Sequence, residues 1–308
     1  MQAADLDRFV ALRHPATTAE ERSGITARLR SGLDEGRLER GDLQLDLDPE
    51  GRARAALILS RATQSHWAMS ELSFAPALSV DGRRAALETL SRATDHARAA
   101  GAASIETTVR AAALSSDYAA ALTSCGFGST GTRVEMRATL DPAPTPTADP
   151  FVWRDLSQVG LERAAAVLAR AAVGAPDWDP QIDCVALIRS LLDGPGLTKG
   201  PDCLELGRLG GQDLAFVMAQ VDRARGWGRI SYMALAPELR GRGYGAAVHQ
   251  RGLSLLRAGG ARSYHGGCEA SNAPMLRLFE RHGCQVHQRL ARWLWHRERH
   301  AAVEPTPI

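Results

Sequence analysis

The chain has 308 residues, 44% hydrophobic and 23% charged, with 37 Lys and Arg against 35 Asp and Glu for a formal charge of +2. This length accommodates two domains with separate cores, and the composition is that of a soluble globular protein. No run approaches the roughly 20 apolar residues of a membrane span, near-neutrality gives no general drive toward nucleic acid, and the acidic start "MQAADLDRFVALRH" lacks a secretory signal's basic and apolar regions, so a cytoplasmic protein without membrane or nucleic-acid partners is expected.

The first half shows strand-like runs "LQLDL" and "RAALILS" around a turn, then a third strand, a loop, an Ala-rich helix, a Gly-Ala-x-Ser turn into another strand, and a helix ending at "SCGF", 124–127. The segment "DPAPTPTADP", 141–150, has four prolines in ten residues and reads as a stiff linker. Beyond it the same order returns: "CLELGRL" and "DLAFVMAQV" around Gly210-Gly211, a strand "GRISYMAL", a loop, a helix, a strand, and a helix closing on "RHGC", 281–284. At an offset of 159, residues 45–111 face 204–270 with 15 identities in 67 positions, among them Gly82 with Gly241 and Arg83 with Arg242. A duplicated α+β domain is the simplest account. The five cysteines, Cys125, Cys184, Cys203, Cys268 and Cys284, are scattered without a Cys-x-x-Cys pair, so buried thiols and no metal site are expected.

The loop "PELRGRGYG", 237–245, joins the strand at 228–235 to a helix predicted over Gly245–Ala258. In that helix Val248, Gly252, Leu255 and Leu256 form an apolar face, while His249, Gln250, Ser254 and Arg257 are expected toward water. A glycine-rich passage into a helix start makes an anion site, because unpaired amides and the positive helix end converge there. Gly241, Gly243 and Ala246 also satisfy the dinucleotide pattern Gly-x-Gly-x-x-Gly/Ala, with Glu269 at the end of the next strand. Five residues, Ala236 to Arg240, separate strand from first glycine, however, and a meander precedes it rather than the head of a βαβ repeat. An RNA-binding patch fares worse, with a single Arg-Gly cluster and 5% aromatic residues.

Arg240-Gly241-Arg242-Gly243-Tyr244-Gly245 resembles the Arg/Gln-x-x-Gly-x-Gly/Ala loop of the GCN5-related N-acetyltransferase (GNAT) family, and "NAPMLRLFERHGC" from Asn272 is similar to that family's Asn-rich last helix. The resemblance implies an α+β fold of two tandem GNAT-like domains, each a mixed, mostly antiparallel sheet flanked by helices. Their expected bounds are 1–140 for a degenerate first domain, 141–150 for the linker, 151–297 for an acetyl-CoA-binding domain and 298–308 for a flexible tail. It also implies acetyl-CoA as co-substrate, its acetyl carbonyl near the Leu235 backbone, its pyrophosphate on amides from Arg240 to Gly245 with Arg240 and Arg242 adding charge, and Asn272 alongside. The acceptor would be a primary amine of a small molecule, attacking directly.

Departures from the family pattern lie in the catalytic groups. Phe279 occupies the usual place of an acidic tyrosine and by its spacing from Met275 is a core residue. His265 and Glu269 share one face of their strand and are the base candidates, each equally readable as a surface residue, and Tyr232, Tyr264, His265 or water are the candidate proton donors. Asn272 before Ala-Pro also suits a helix N-cap. Trp178 between Asp177 and Asp179 would hold a cationic amine, or sit in a plain turn built on Pro176 and Pro180. In the first half Asp81, Arg84 and Ala86 stand where Arg240, Gly243 and Gly245 do, and Ala113 stands for Asn272. That half is therefore expected to bind no CoA and to serve as scaffold, substrate wall or homodimer surface. The alternative from another class is a catalytically silent acyl-CoA-binding or regulatory protein.

Overall fold

Strand-forming and Ala-rich runs alternate along the chain, and the computed structural model describes residues 3–297 except 37, 62–64, 77, 142–148, 176, 177, 179, 180, 194–196 and 199. Most of the linker and the tail beyond 297 thus lie outside the described residues. In chain order the first half comprises α1 (Ala3–Arg13), α2 (Ala19–Asp34), β1 (Leu43–Leu47), β2 (Ala53–Arg61), β3 (His66–Met69), β4 (Ser73–Phe74), α3 (Val80–Ala99), β5 (Ser104–Arg110), α4 (Ser116–Ser124) and β6 (Gly128–Thr139). The second comprises β7 (Val152–Asp155), α5 (Leu156–Val159), α6 (Leu161–Ala172), α7 (Cys184–Asp193), β8 (Leu204–Leu209), β9 (Gln212–Asp222), β10 (Trp227–Leu235), α8 (Gly245–Ala258), β11 (Ser263–Glu269), α9 (Ala273–Arg281) and β12 (Gln285–His296).

The chain divides into two units, and each takes its last strand from the other half. The first unit runs to Thr132 and resumes at Leu290; the second is Arg133–Arg289. In the first unit the strand order is β1-β2-β3-β5-β12, and β12 pairs antiparallel with β5 from Leu290↔Arg110 to His296↔Ser104. In the second it is β6-β11-β10-β9-β8-β7, and β6 pairs antiparallel with β11 from Arg133↔Glu269 to Thr139↔Ser263. The expected bounds 1–140 and 151–297 are corrected accordingly. Residues on β6 and β12 follow their burial: Val134 and Met136 join the core under α8, while Trp293 and Trp295 join the core of β2, β5 and α3. Proline content marks where the chain is extended, not which sheet a flanking strand enters.

In each unit a central strand is covered on both faces, which explains continuous apolar runs where simple alternation would mark a half-exposed strand. In β9, Phe216 and Met218 pack with α6 and α7, while Ala215, Val217, Ala219 and Val221 pack toward α8. In β2, Ala55, Leu57 and Leu59 face α3 and α4, and Ala56 and Ile58 face α1 and α2. All five cysteines are free thiols, four of them buried.

α8 spans the residues expected, with Val248, Gly252 and Leu256 buried, but His249 is fully buried instead of facing water. The reason is α9, which covers that side of α8: His249 Nδ1 lies 3.0 Å from His282 Nδ1, with Tyr264 and Phe279 edge-on to the His249 ring. Burial, with His282 beside it, pushes the His249 pKa down to about 3. Its folded value lies below the roughly 6.5 of an unfolded chain, so the neutral ring's contribution is complete above that pH and is lost as pH falls, by about 1.4 kcal/mol per unit. Thermal unfolding of His249→Phe across pH 4 to 6.5 is expected to show a distinctly shallower acid decline than the parent chain.

Candidate functional site

β10 and β11 run parallel but share only the pairs Trp227↔Ser263 and Gly228↔Tyr264. Beyond Gly228 each strand follows its other neighbour, β10 to Leu235↔Ala215 on β9 and β11 to Glu269↔Arg133 on β6. The two strands therefore part, and the facing edges of a wedge between them keep backbone donors and acceptors without ladder partners. A bulge lies just past the parting point, where the β10 register shifts between Ile230↔Ala219 and Tyr232↔Met218 and leaves Ser231 unpaired. It turns consecutive side chains to one face: Tyr232 packs with the α6–α7 cluster, and Ser231 Oγ donates to Gln220 Oε1 at 2.6 Å, whose Nε2 donates to Leu191 O of α7 at 2.8 Å.

The wedge opens toward the glycine-rich loop. After a turn at Pro237–Leu239, Gly241 (φ 73°) and Gly243 (φ 85°) take left-handed conformations that only glycine adopts without strain. Among the described residues, nothing accepts from the amides of Gly241, Arg242, Gly243, Tyr244 and Gly245, and the α8 N-terminus has no side-chain cap. Alternating glycines with successive outward amides form a concave nest suited to an anion, reinforced by the helix end. Arg242 is exposed beside it, and among the described residues no carboxylate pairs with it.

The other loop residues serve the backbone. Arg240 turns inward, its Nε donating to Leu235 O at 3.0 Å and its Nη2 to Ala171 O at 2.7 Å, so it ties the loop to β10 and α6 instead of offering charge to a ligand. Tyr244 packs its ring on Phe151 at 5.9 Å. A Cβ on Gly245 would come within 3.2 Å of Leu278, which accounts for that glycine by the close approach of α9.

Among its described residues the first unit lacks both features. β3 and β5 stay paired over four residues, His66↔Ser104 to Met69↔Thr107, where β10 and β11 part after two. The stretch matching the loop is helical from Val80 onward. Ser79 Oγ accepts from Gly82 N at 3.0 Å and Ser79 O from Arg83 N at 2.8 Å, so amides that the second unit leaves open are capped here. Asp81 occupies that first turn, and Arg83 lies over the Phe74 ring at 4.5 Å.

Residues 197–284, which contain β8 to β11, the loop and α9, match the acetyltransferase (GNAT) family profile. The second unit carries a GNAT domain. Over the whole chain, a GCN5-related N-acetyltransferase from Sphaerobacter thermophilus is similar in structure, with a TM-score of 0.64, 20% identity and coverage of 96% of this chain and 94% of that one. A tandem GNAT protein from the clavulanic acid biosynthesis pathway aligns with a TM-score of 0.59 at 14% identity, covering 99% of this chain and 96% of that one. The architecture is thus two tandem GNAT-like α+β units with mostly antiparallel sheets flanked by helices. Among curated proteins none matches the chain by sequence. Members of the GNAT family transfer acyl groups from acyl-CoA, and the anion nest sits in the part of the chain that the family profile covers.

Within the GNAT unit the remaining predicted residues separate into distinct roles. Asn272 caps α9, its Oδ1 accepting from Met275 N at 3.2 Å. Phe279 is buried against His249 and Tyr264, as a core residue should be. Tyr264 lies in that same core, its phenol held protonated by burial. His265 and Glu269 share the opposite face of β11. Glu269 is buried at the strand end, whereas His265 is half-buried and stacked on Trp227 at 5.2 Å with 8° between the rings. Burial, with Arg137 and His287 nearby, lowers the His265 pKa, so the ring is neutral at pH 7. Trp178 meets Tyr232 edge-on at 6.2 Å within the α6–α7 cluster. Asp177 and Asp179 lie outside the described residues. Among the described residues no group of three or more His, Cys, Asp or Glu is placed to hold a metal ion, and no helix is long and apolar enough to cross a membrane.

The sequence reading missed Arg229, Ser231 and Gln220, which form a hydrogen-bonded row across β9 and β10. One signal was available, a glutamine inside the apolar run "DLAFVMAQV".

Proposed function

We propose that the GNAT unit transfers an acetyl group from acetyl-CoA to a primary amine of a small molecule. The observation that carries this reading is the alignment of three features along one strand edge: the parting of β10 from β11, the bulge at Ser231 and the open amides from Gly241 to Gly245. A pyrophosphate on the nest lets the pantetheine arm run back along β10. Leu235 and Ser231 are four residues apart, about 13 Å at ~3.3 Å per residue, which suits such an arm and puts the thioester at the bulge, with Leu235 beside the arm.

There the amine nitrogen attacks the thioester carbonyl carbon, the C–S bond breaks, the amine proton passes to His265, and the departing thiolate takes a proton from Tyr232. Tyr232 is preferred over Tyr264 because it adjoins the bulge, whereas Tyr264 is locked in the core. Tyr232→Phe is expected to lower kcat about 100-fold while leaving the acetyl-CoA dissociation constant unchanged, as single-turnover kinetics and calorimetry would show.

Thiol release across a panel of amines tests the reaction, and calorimetry is expected to find one acetyl-CoA per chain, because among the described residues only the second unit has the nest and the wedge. At 100 times its dissociation constant acetyl-CoA should stabilise the chain by about 2.7 kcal/mol; no shift in melting temperature would reject the reading. Phe279 favours a second reading, a silent acyl-CoA-binding protein, since the family's usual proton donor is replaced by a core ring. Saturable binding without thiol release on any amine decides for it.

A further inference from the structure

Arg229 carries a guanidinium that the second unit holds in place without neutralising. Its Nε donates to Ser231 Oγ at 3.1 Å, and Ser231 is held in turn by the fully buried Gln220, which is anchored on Leu191 O. Among the described residues no carboxylate pairs with Arg229, and neither Nη has an acceptor. The contrast within the same unit is clear: Arg154 and Arg163 meet Asp213, Arg251 meets Glu205, and Arg240 caps two carbonyls. Burial lowers the Arg229 pKa, with no neighbouring charge offsetting it. Withdrawing a cation from water without a counter-charge is unfavourable, and here it occurs two residues from the bulge.

The position is directional. With Nε committed to Ser231, the edge formed by Nη1 and Nη2 remains, two donors that fit an oxyanion bidentately. Continuing the register of Trp227↔Ser263 and Gly228↔Tyr264 by one pair puts His265 level with Arg229 on the neighbouring strand, and the Trp227 ring stacks on His265. The guanidinium fork and the imidazole thus hold equivalent positions, one residue past the last shared pair, on the two strands that border the start of the wedge.

We infer that the acceptor is an amine that also carries an oxyanion, a carboxylate or a phosphate, and that Arg229 binds this group while His265 faces the amine. This rests on the transfer reaction proposed above. Its test reads binding, so that failure of the reaction and failure of the inference are told apart. 4-Aminobutyrate, 2-aminoethyl phosphate and 4-aminobutanamide, which keeps the amine but lacks the oxyanion, are titrated into the full chain, with and without CoA. At least one anionic ligand is expected to bind about tenfold or more tightly than the amide, and which one does so identifies the anion. Arg229→Gln should abolish the preference, Arg229→Lys should keep part of it, and both should bind acetyl-CoA as the parent chain does. Equal affinity for all three ligands, binding of none, or an unchanged preference in Arg229→Gln overturns the inference.

Discussion

Gly243→Val is expected to weaken acetyl-CoA binding by about 100-fold, the equivalent of losing one or two charge-assisted amide contacts at about 1.5–3 kcal/mol each. Gly243 has φ 85°, and a Cβ built there meets nothing of the protein within 4 Å. The substitution therefore costs the chain only backbone strain, about 1–2 kcal/mol, while its side chain enters the space in front of the amides. Calorimetric titration with acetyl-CoA, paired with urea unfolding, separates the two effects. Gly243→Ala should show similar strain with a smaller loss of affinity. Substitution of Arg84, the matching position in the first unit, should leave binding unchanged, because its turn is already capped by Ser79. A folded Gly243→Val that binds acetyl-CoA normally would remove the nest from the site.

Asp213→Ala is expected to be the most destabilising single change in the second unit, by about 3–5 kcal/mol. The carboxylate is 1% exposed and receives Arg154 Nη2 at 2.8 and 2.9 Å, together with Arg163 Nε. It thereby joins β7, β9 and α6, and its loss strands two guanidinia against one another. At roughly 2–4 °C per kcal/mol for a chain of this size, the melting temperature should fall by roughly 6–20 °C. Burial by itself would raise the Asp213 pKa, but the hydrogen bonds and charges of Arg163 and Arg154 outweigh it and the net shift is downward. The folded value lies below the unfolded one of about 3.9, so this contribution is complete above that pH and is lost as pH falls through the folded value. Asp213→Asn should remove that part of the acid-limb slope in melting curves below pH 4.

The strand-loop-helix unit at 227–258 was legible because its cues are local: an apolar run, two glycines at left-handed positions and helical spacing in Val248, Gly252 and Leu256. Asn272 as a cap and Phe279 as a core residue were legible for the same reason, and so was the difference between the two matching turns, from Asp81 and the missing glycines. What escaped depended on direction or on distant chain. Residue type says that Arg240 is charged, but only packing shows that it turns onto Leu235 O and Ala171 O. His249 sits on the polar side of its own helix, and only the placement of α9 buries it. The bulge at Ser231 leaves no mark in a strand whose hydropathy does not alternate cleanly. Burial periodicity shows which face of β6 and β12 is covered, but not which sheet each strand joins.

The exchange of last strands has a consequence for how the molecule is made. β5 of the first unit pairs with β12, which the ribosome supplies only after every other strand of either unit, so the two partners are separated by the whole of β6 to β11. Such a contact gives the first unit a high contact order and delays its closure. Until then β5 presents an open edge, the kind of surface that invites wrong pairing. β11 of the second unit, by contrast, finds β6 already synthesised when it emerges. The unit with the anion nest therefore completes its sheet first, and the unit without it completes last.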